Sequence, residues 1–225
     1  PHHLGMKFDA IVSNPPYSKS WSGKNNTILI NDVRYSPAGV LAPIQRSDLA
    51  FTMHMLYHLS ETGTCAIVEF PGVLYRGGAE KKIREYLIKN NFVDTVIQLP
   101  ANLFFGVGIA TCIIVIKKNK KDNNILFVDA SEECEKKGDK NKLEDENQNR
   151  IVNAYQERKE EQYFTKLVSN DEVLANGANL SVSSYVEKED KREVIDIVAL
   201  NEEIEALSKD VRNRSVELDE MIKEL

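Results

Sequence analysis

The feature that most constrains this chain is a short apolar run, Phe8-Asp9-Ala10-Ile11-Val12-Ser13, that ends directly in Asn14-Pro15-Pro16-Tyr17. The run has the length and composition of a buried strand. Proline fixes φ and has no backbone N–H to donate, so neither Pro15 nor Pro16 prolongs a ladder and the strand stops in a sharp turn. Asn-Pro pairs are also plain punctuation at strand ends. At the carboxyl end of a strand in an open α/β sheet, however, such a turn lies where these folds bind ligands.

The residues that follow alternate between the two periods. Ser18–Ser47 is polar, punctuated by Gly and Pro, and long for a loop; such loops serve as functional lids or stay partly disordered. Ser47 or Asp48 is placed to cap a helix to about Ser60, with Leu49, Met53, Leu56 and Leu59 on its apolar face. Glu61-Thr62-Gly63 is expected to stop that helix before a strand at Cys65–Phe70. A second helix, Ala79–Asn90, carries Ile83, Tyr86 and Leu87. Val93–Leu99 and Thr111–Lys117 read as strands joined by Pro100–Ala110, and Ile125–Asp129 as a shorter strand at an edge. This order predicts an α/β fold, a largely parallel sheet with helices on its faces. The two successive strands predict an antiparallel hairpin at one side of it.

At 225 residues and 42 % hydrophobic, the chain has enough apolar material for a sizeable core. A net charge of −6 is not the footprint of an autonomous DNA binder. Cys65, Cys112 and Cys134 lack paired metal-type spacing; the first two sit in apolar runs and read as reduced core residues of a cytoplasmic protein. No apolar stretch reaches membrane-spanning length. His54 and His58 lie four apart on the first helix, but without an adjacent glutamate or a third ligand they make a poor metal pair, and no metal is expected.

Composition changes after Asp129, which divides the chain into residues 1–130, a polar helix-and-loop extension at 131–187 and a final helix at 188–225. Ser131–Glu161 is charged and amide-rich, with Ile151, Val152 and Tyr155 at helical spacing; Tyr163–Val186 is turn-rich and aperiodic. In the last segment Ile197, Ile204, Val211, Leu218 and Leu225 recur every seven residues. Leu200, Leu207, Arg214 and Met221 follow three residues behind the first four, an a/d stripe with one charged defect. It suits an uncapped helix docked on a partner helix, or one packed on its own domain.

Together these segments resemble the modification subunit of type I restriction-modification systems. The resemblance rests on FDAIVSNPPYS at Phe8–Ser18, SDLAFTMHMLYHL at Ser47–Leu59 and GVLYRGGAEKKIREYL at Gly72–Leu87. LPANLFFGVGIATCIIV at Leu99–Val115, ILFVDAS at Ile125–Ser131 and the terminal heptads extend it. It implies a Rossmann-like, S-adenosylmethionine-dependent methyltransferase core of strand order 3-2-1-4-5-7-6, with strand 7 antiparallel. Phe8–Ser13 would be strand 4, Cys65–Phe70 strand 5, Val93–Leu99 strand 6 and Thr111–Lys117 strand 7.

The implied activity is transfer of a methyl group from S-adenosylmethionine to adenine N6 in DNA. The exocyclic amine is a poor nucleophile because its lone pair is delocalised into the ring. Acceptors at the Asn14 side chain and the Pro15 carbonyl would favour the pyramidal, attacking form; Pro16 would hold the turn and Tyr17 stack on a flipped base. The implied partners are DNA, a specificity subunit, a second modification subunit and a restriction subunit.

One departure matters. The family places a glycine-rich cofactor loop and an acidic residue ahead of the tetrapeptide, and here only thirteen residues precede it. The expectation is therefore a carboxyl-terminal portion holding the second half of the sheet, with Asn14 at the rim of the cofactor pocket. Gly106-Val107-Gly108 precedes a strand and does not substitute for the lost loop.

Lys19, Lys24, Arg34 and Arg46 against Asp32 give Ser18–Ser47 a local excess of three positive charges, suited to a DNA backbone or to ordinary solvation. Arg76, ahead of Gly77-Gly78 at a helix start, is a second candidate phosphate contact. Phe104-Phe105 would border the base pocket or pack in the core. Two other functions fit the residues: a non-catalytic assembly module, and methylation of a protein glutamine side chain, whose amide nitrogen poses the same chemical problem.

Overall fold

Strand β1 (Phe8–Ser13) forms where the sequence places it, at the edge of the sheet, the place of strand 4 when the second half of the sheet stands alone. In this computed structural model, which describes residues 3–104, 106, 108–189 and 196–223, the chain continues through a single helical turn, α1 (Thr27–Ile30). Next come α2 (Asp48–His58), β2 (Leu59–Glu69), α3 (Gly78–Lys89), β3 (Val93–Gln98), β4 (Cys112–Lys117) and β5 (Asn124–Asp129). A small hairpin, β6 (Glu135–Lys137) and β7 (Lys140–Lys142), precedes α4 (Asp145–Glu157), β8 (Thr165–Ser169) and α5 (Asn170–Ala175). Residues 1–188 make one compact unit; the second, 189–225, contains α6 (Ile197–Lys223).

The six-stranded sheet runs β1-β2-β4-β3-β5-β8. β1, β2, β3 and β5 point one way, and β4 and β8 run against them. The first four positions reproduce the expected 4-5-7-6 order, with the antiparallel strand inserted between its two neighbours. The β3–β4 pair is therefore interior, not at one side.

Three expectations are corrected. β1 was read as buried, yet Val12 is 85 % exposed, because β2 is its sole partner strand among the described residues. Ile125–Asp129 was placed at an edge, yet β8 pairs along its outer side and Ile125 to Val128 are fully buried. Glu61-Thr62-Gly63 was expected to stop a helix, but α2 ends at His58 and those residues lie within β2. Gly63 is needed there, since a Cβ would stand 2.8 Å from a Leu59 methyl and 2.9 Å from the Phe8 carbonyl, at the slip in β1–β2 register.

Each sheet face carries its own core. Leu49, Met53 and Leu56 of α2, Ile83 and Leu87 of α3 and Val173 of α5 cover Cys65, Ile67, Ile114, Val96 and Phe127. Ile151 of α4 and Phe164 cover Ile97, Leu126 and Val128 on the other side. The turn-rich stretch after β8 is pinned from inside. Arg84, 1 % exposed, donates from Nε to the Ala178 carbonyl (2.7 Å) and from Nη1 to the Val73 carbonyl (2.8 Å), and Tyr185 stacks on Phe127 at 4.3 Å. Cys65 and Cys112 are 0 % exposed and Cys134 is half-buried.

Helix α6 bears the heptad stripe along its length, with Ile204 at 52 % and Leu207 at 58 % exposure, and Arg214 paired to Asp210 one turn back. It is capped after all: Asp196 Oδ1 accepts from the amides of Val198 and Ala199. Phe105, Val107, residues 190–195 and Leu225 lie outside the described residues.

Candidate functional site

β1 delivers Asn14 to the carboxyl end of the sheet with its side chain exposed, while Pro15 is buried and Pro16 faces outward. The half-buried Tyr17 hydroxyl donates to Asn14 Oδ1 at 2.9 Å. An amide oxygen has two lone pairs, so this bond fixes the carboxamide and leaves one acceptor position open. Burial, with Glu69 and Cys112 nearby, raises the Tyr17 hydroxyl above its ordinary value, so it remains a donor at neutral pH.

The turn exits onto α2. The Ser18 amide donates to Asp48 Oδ1 at 2.7 Å, and the Ser47 amide donates to the Lys19 carbonyl at 3.0 Å. Neither Ser47 nor Asp48 caps the helix with its side chain, contrary to expectation: Ser47 occupies the N-cap position without a side-chain bond, and the Asp48 oxygen reaches the turn instead. One helical turn on, Thr52 Oγ1 donates to Glu69 Oε1 at 2.8 Å at the end of β2. Glu69 is fully buried, and that burial pushes its carboxyl up to about 8, with Asp48 and Glu80 reinforcing the shift. Sequence reasoning missed Asp48, Thr52 and Glu69 as a group. The signal was present: Asp48 and Thr52 share one face of an apolar helix, and Glu69 is a lone carboxylate in an apolar strand.

The basic residues fare unequally. Lys19 and Lys24 are exposed on the loop. Arg34 is committed to Asp32 through Nε–Oδ1 at 2.9 Å and Nη2–Oδ2 at 2.6 Å, stacks over Tyr35 and meets His54 Nδ1 at 3.3 Å. Arg76 lies over the Phe70 ring and pairs with buried Glu80 at 3.6 Å. Gly72 makes room for it, since a Cβ there would meet the guanidinium carbon at 2.4 Å. The loop itself is anchored, with the Trp21 indole donating to the Pro43 carbonyl at 2.9 Å.

His54 and His58 approach ring to ring at 4.6 Å. Burial, then His58 and Arg34, push His54 down to about 4, and His58 Nδ1 contacts the Met6 carbonyl. Among the described residues no cluster of three or more His, Cys, Asp or Glu suits a metal ion, and no helix is long and apolar enough to cross a membrane.

The family model for N-6 DNA methylases matches residues 1–194. The chain is 45 % identical over 220 residues to the type I restriction enzyme MpnII methylase subunit of Mycoplasma pneumoniae, covering 96 % of this chain and 40 % of that protein. It is 33 % identical over 226 residues to the type I restriction enzyme MjaVII methylase subunit of Methanocaldococcus jannaschii, covering 95 % and 38 %. The crystal structure of the type I restriction-modification system methyltransferase subunit from Streptococcus thermophilus superposes with a TM-score of 0.79 at 41 % identity, over 83 % of this chain and 40 % of that one. The chain thus spans about 40 % of the length of the relatives it matches. With sheet order, turn and sequence agreeing along most of its length, the chain belongs to the N-6 DNA methylase family.

Proposed function

We propose that this chain is the part of a type I modification subunit that holds and orients the target adenine while its N6 is methylated. The observation that carries the reading is the Asn14 carboxamide, exposed at the carboxyl end of β1 and braced by Tyr17 with one acceptor position open. That oxygen and the Pro15 carbonyl would accept the two amine hydrogens, drawing the nitrogen toward the pyramidal geometry that attacks. Two prolines hold the acceptors in place before the substrate arrives. Tyr17 would present its ring to the extruded base.

S-adenosylmethionine would supply the methyl group as a sulfonium. The described residues supply only the rim of its site, at Asn14. The glycines that open a helix after a strand among them, Gly77 and Gly78, follow β2 by way of the Pro71–Leu74 turn and lead into α3 after the tetrapeptide, not ahead of it. The rest of the pocket falls to the remainder of the subunit. Lys19 and Lys24 are the cations best placed for DNA phosphates, while Arg34 and Arg76 support the surrounding loops through Asp32 and Glu80. The α6 stripe would dock on helices of the specificity subunit, in a complex with a second modification subunit and a restriction subunit.

The test is Asn14→Ala in the complete, assembled subunit. Loss of one preorganised polar contact at the reacting group costs about 3 to 4 kcal/mol, so turnover should fall by roughly two to three orders of magnitude. DNA binding should stay within about threefold; near-normal turnover would defeat the reading. For the partner, Ile204→Asp with Leu207→Asp should abolish co-purification with the specificity subunit while leaving the circular dichroism of the sheet unchanged. Undiminished assembly would refute the docking role of α6.

A further inference from the structure

We propose that Asp48 is a positioning residue for the amine-orienting turn, acting through the backbone amide of Ser18; the inference rests on the role given above to Asn14 and Pro15. Ser18 immediately follows Tyr17 and has φ of +49°, a left-handed conformation that an L residue holds only under constraint. Asp48 supplies the constraint. Asp48, 1 % exposed, accepts from the Ser18 amide at 2.7 Å, across thirty residues of sequence, and the adjacent Ser47 amide ties down the Lys19 carbonyl.

The carboxylate belongs at this point for a second reason. It opens α2, where free helix amides favour negative charge, and among the described residues no cation pairs with it at salt-bridge distance. Thr52, on the same face, grips Glu69 at the end of β2. One helix edge thereby holds the exits of two adjacent parallel strands. Without the Asp48 bond, Ser18 relaxes toward extended backbone, and the Asn14 and Pro15 oxygens lose their aim at a common point. Displacement of about 1 Å at a reacting centre costs on the order of a hundredfold in rate, with little effect on binding.

The experiment compares Asp48→Ser, Asp48→Asn and Asp48→Ser with Ser18→Gly in the complete methylating subunit, measuring kcat, the KM for DNA and the melting temperature. Serine suits a first helical turn but is too short to reach the Ser18 amide, so kcat should fall about 30- to 100-fold with the KM for DNA within about threefold. Asparagine keeps an oxygen at the same reach and should stay within about fivefold of the parent. Glycine adopts φ of +49° unaided, so the double variant should regain at least about tenfold in kcat, which a merely structural defect would not.

Near-parental kcat in Asp48→Ser, an Asp48→Asn loss as deep as that of serine, or no recovery with glycine each overturns the proposal. Asn14→Ala, run alongside, separates the two readings. An active Asn14→Ala means the turn itself is misassigned. An inactive Asn14→Ala beside a fully active Asp48→Ser removes only the positioning role.

Discussion

Strands β1 and β5 have equal length and similar apolar content, Phe-Asp-Ala-Ile-Val-Ser against Asn-Ile-Leu-Phe-Val-Asp. Their fates differ. β5 has a strand on either side and a core on each face, and Ile125, Leu126, Phe127 and Val128 are fully buried. β1 has β2 on one side only, Ile11 merely borders the larger core, and Val12 stands open. Burial of a strand is therefore a property of its neighbours, and two similar hexapeptides can sit at opposite extremes of it. The more exposed of the two carries the residues of interest, since β1 alone leads into Asn14. An apolar strand with an unpaired edge also invites pairing with another chain.

The difference can be measured. The largest effect is expected at Phe127→Ala, about 3 to 5 kcal/mol in urea unfolding, against less than about 0.5 kcal/mol for Val12→Ala. Equal costs would mean that the two strands are buried alike in solution.

A second measurement locates where the dry interior ends. Glu69 closes β2, the strand beside β1, and its carboxyl sits near 8 instead of 4.5. The folded value is the higher one, so between those pH values the folded chain holds a proton that the unfolded chain has released. Stability should fall by a few kcal/mol as pH rises through that window, and Glu69→Gln should flatten the slope. A slope unchanged by the substitution would place water at the end of β2.

The smallest effect on stability is expected for Val12→Asp, within about 0.5 kcal/mol, because the side chain is already in solvent. The same change should suppress self-association through the β1 edge, read by sedimentation velocity across a concentration series. Unfolding of Val12→Asp would contradict the exposure of β1.

Much of this arrangement was legible in the sequence. The strands from β1 to β4 announce themselves as apolar runs between turn signals, and the resemblance supplied their order. β8 did not, because Thr165–Ser169 is five residues of mixed character whose strand pairing comes entirely from β5. The edge position of β1 followed from the resemblance, which makes it strand 4 at the open side of the half sheet; its own residues, which read as a buried strand, do not record what lies beside them.

At the proposed site, the turn at Asn14 to Tyr17 was legible from its two prolines, and the role proposed for it came from the family resemblance. Asp48 was not, since an acidic residue at a helix start looks like an ordinary cap until its partner at Ser18 is seen. Arg34 and Arg76 were read as free cations although Asp32 and Glu80 stood at pairing distance in sequence, a signal that helical spacing offered for the second pair.

The three cysteines give the fold a chemical read-out. Burial pushes the Cys65 thiol up to about 12 and raises Cys112 well above its ordinary value, and both are sealed in the sheet. Only thiolate alkylates at a useful rate. Burial, then Glu133 and Glu132, raise the Cys134 thiol as well, but it is only half-buried, so a maleimide should label the native chain slowly and once, there, and three times when the sheet opens. Because Cys65 lies in β2 and pairs with Ile11, the appearance of a second label times the loosening of the very edge that carries Asn14.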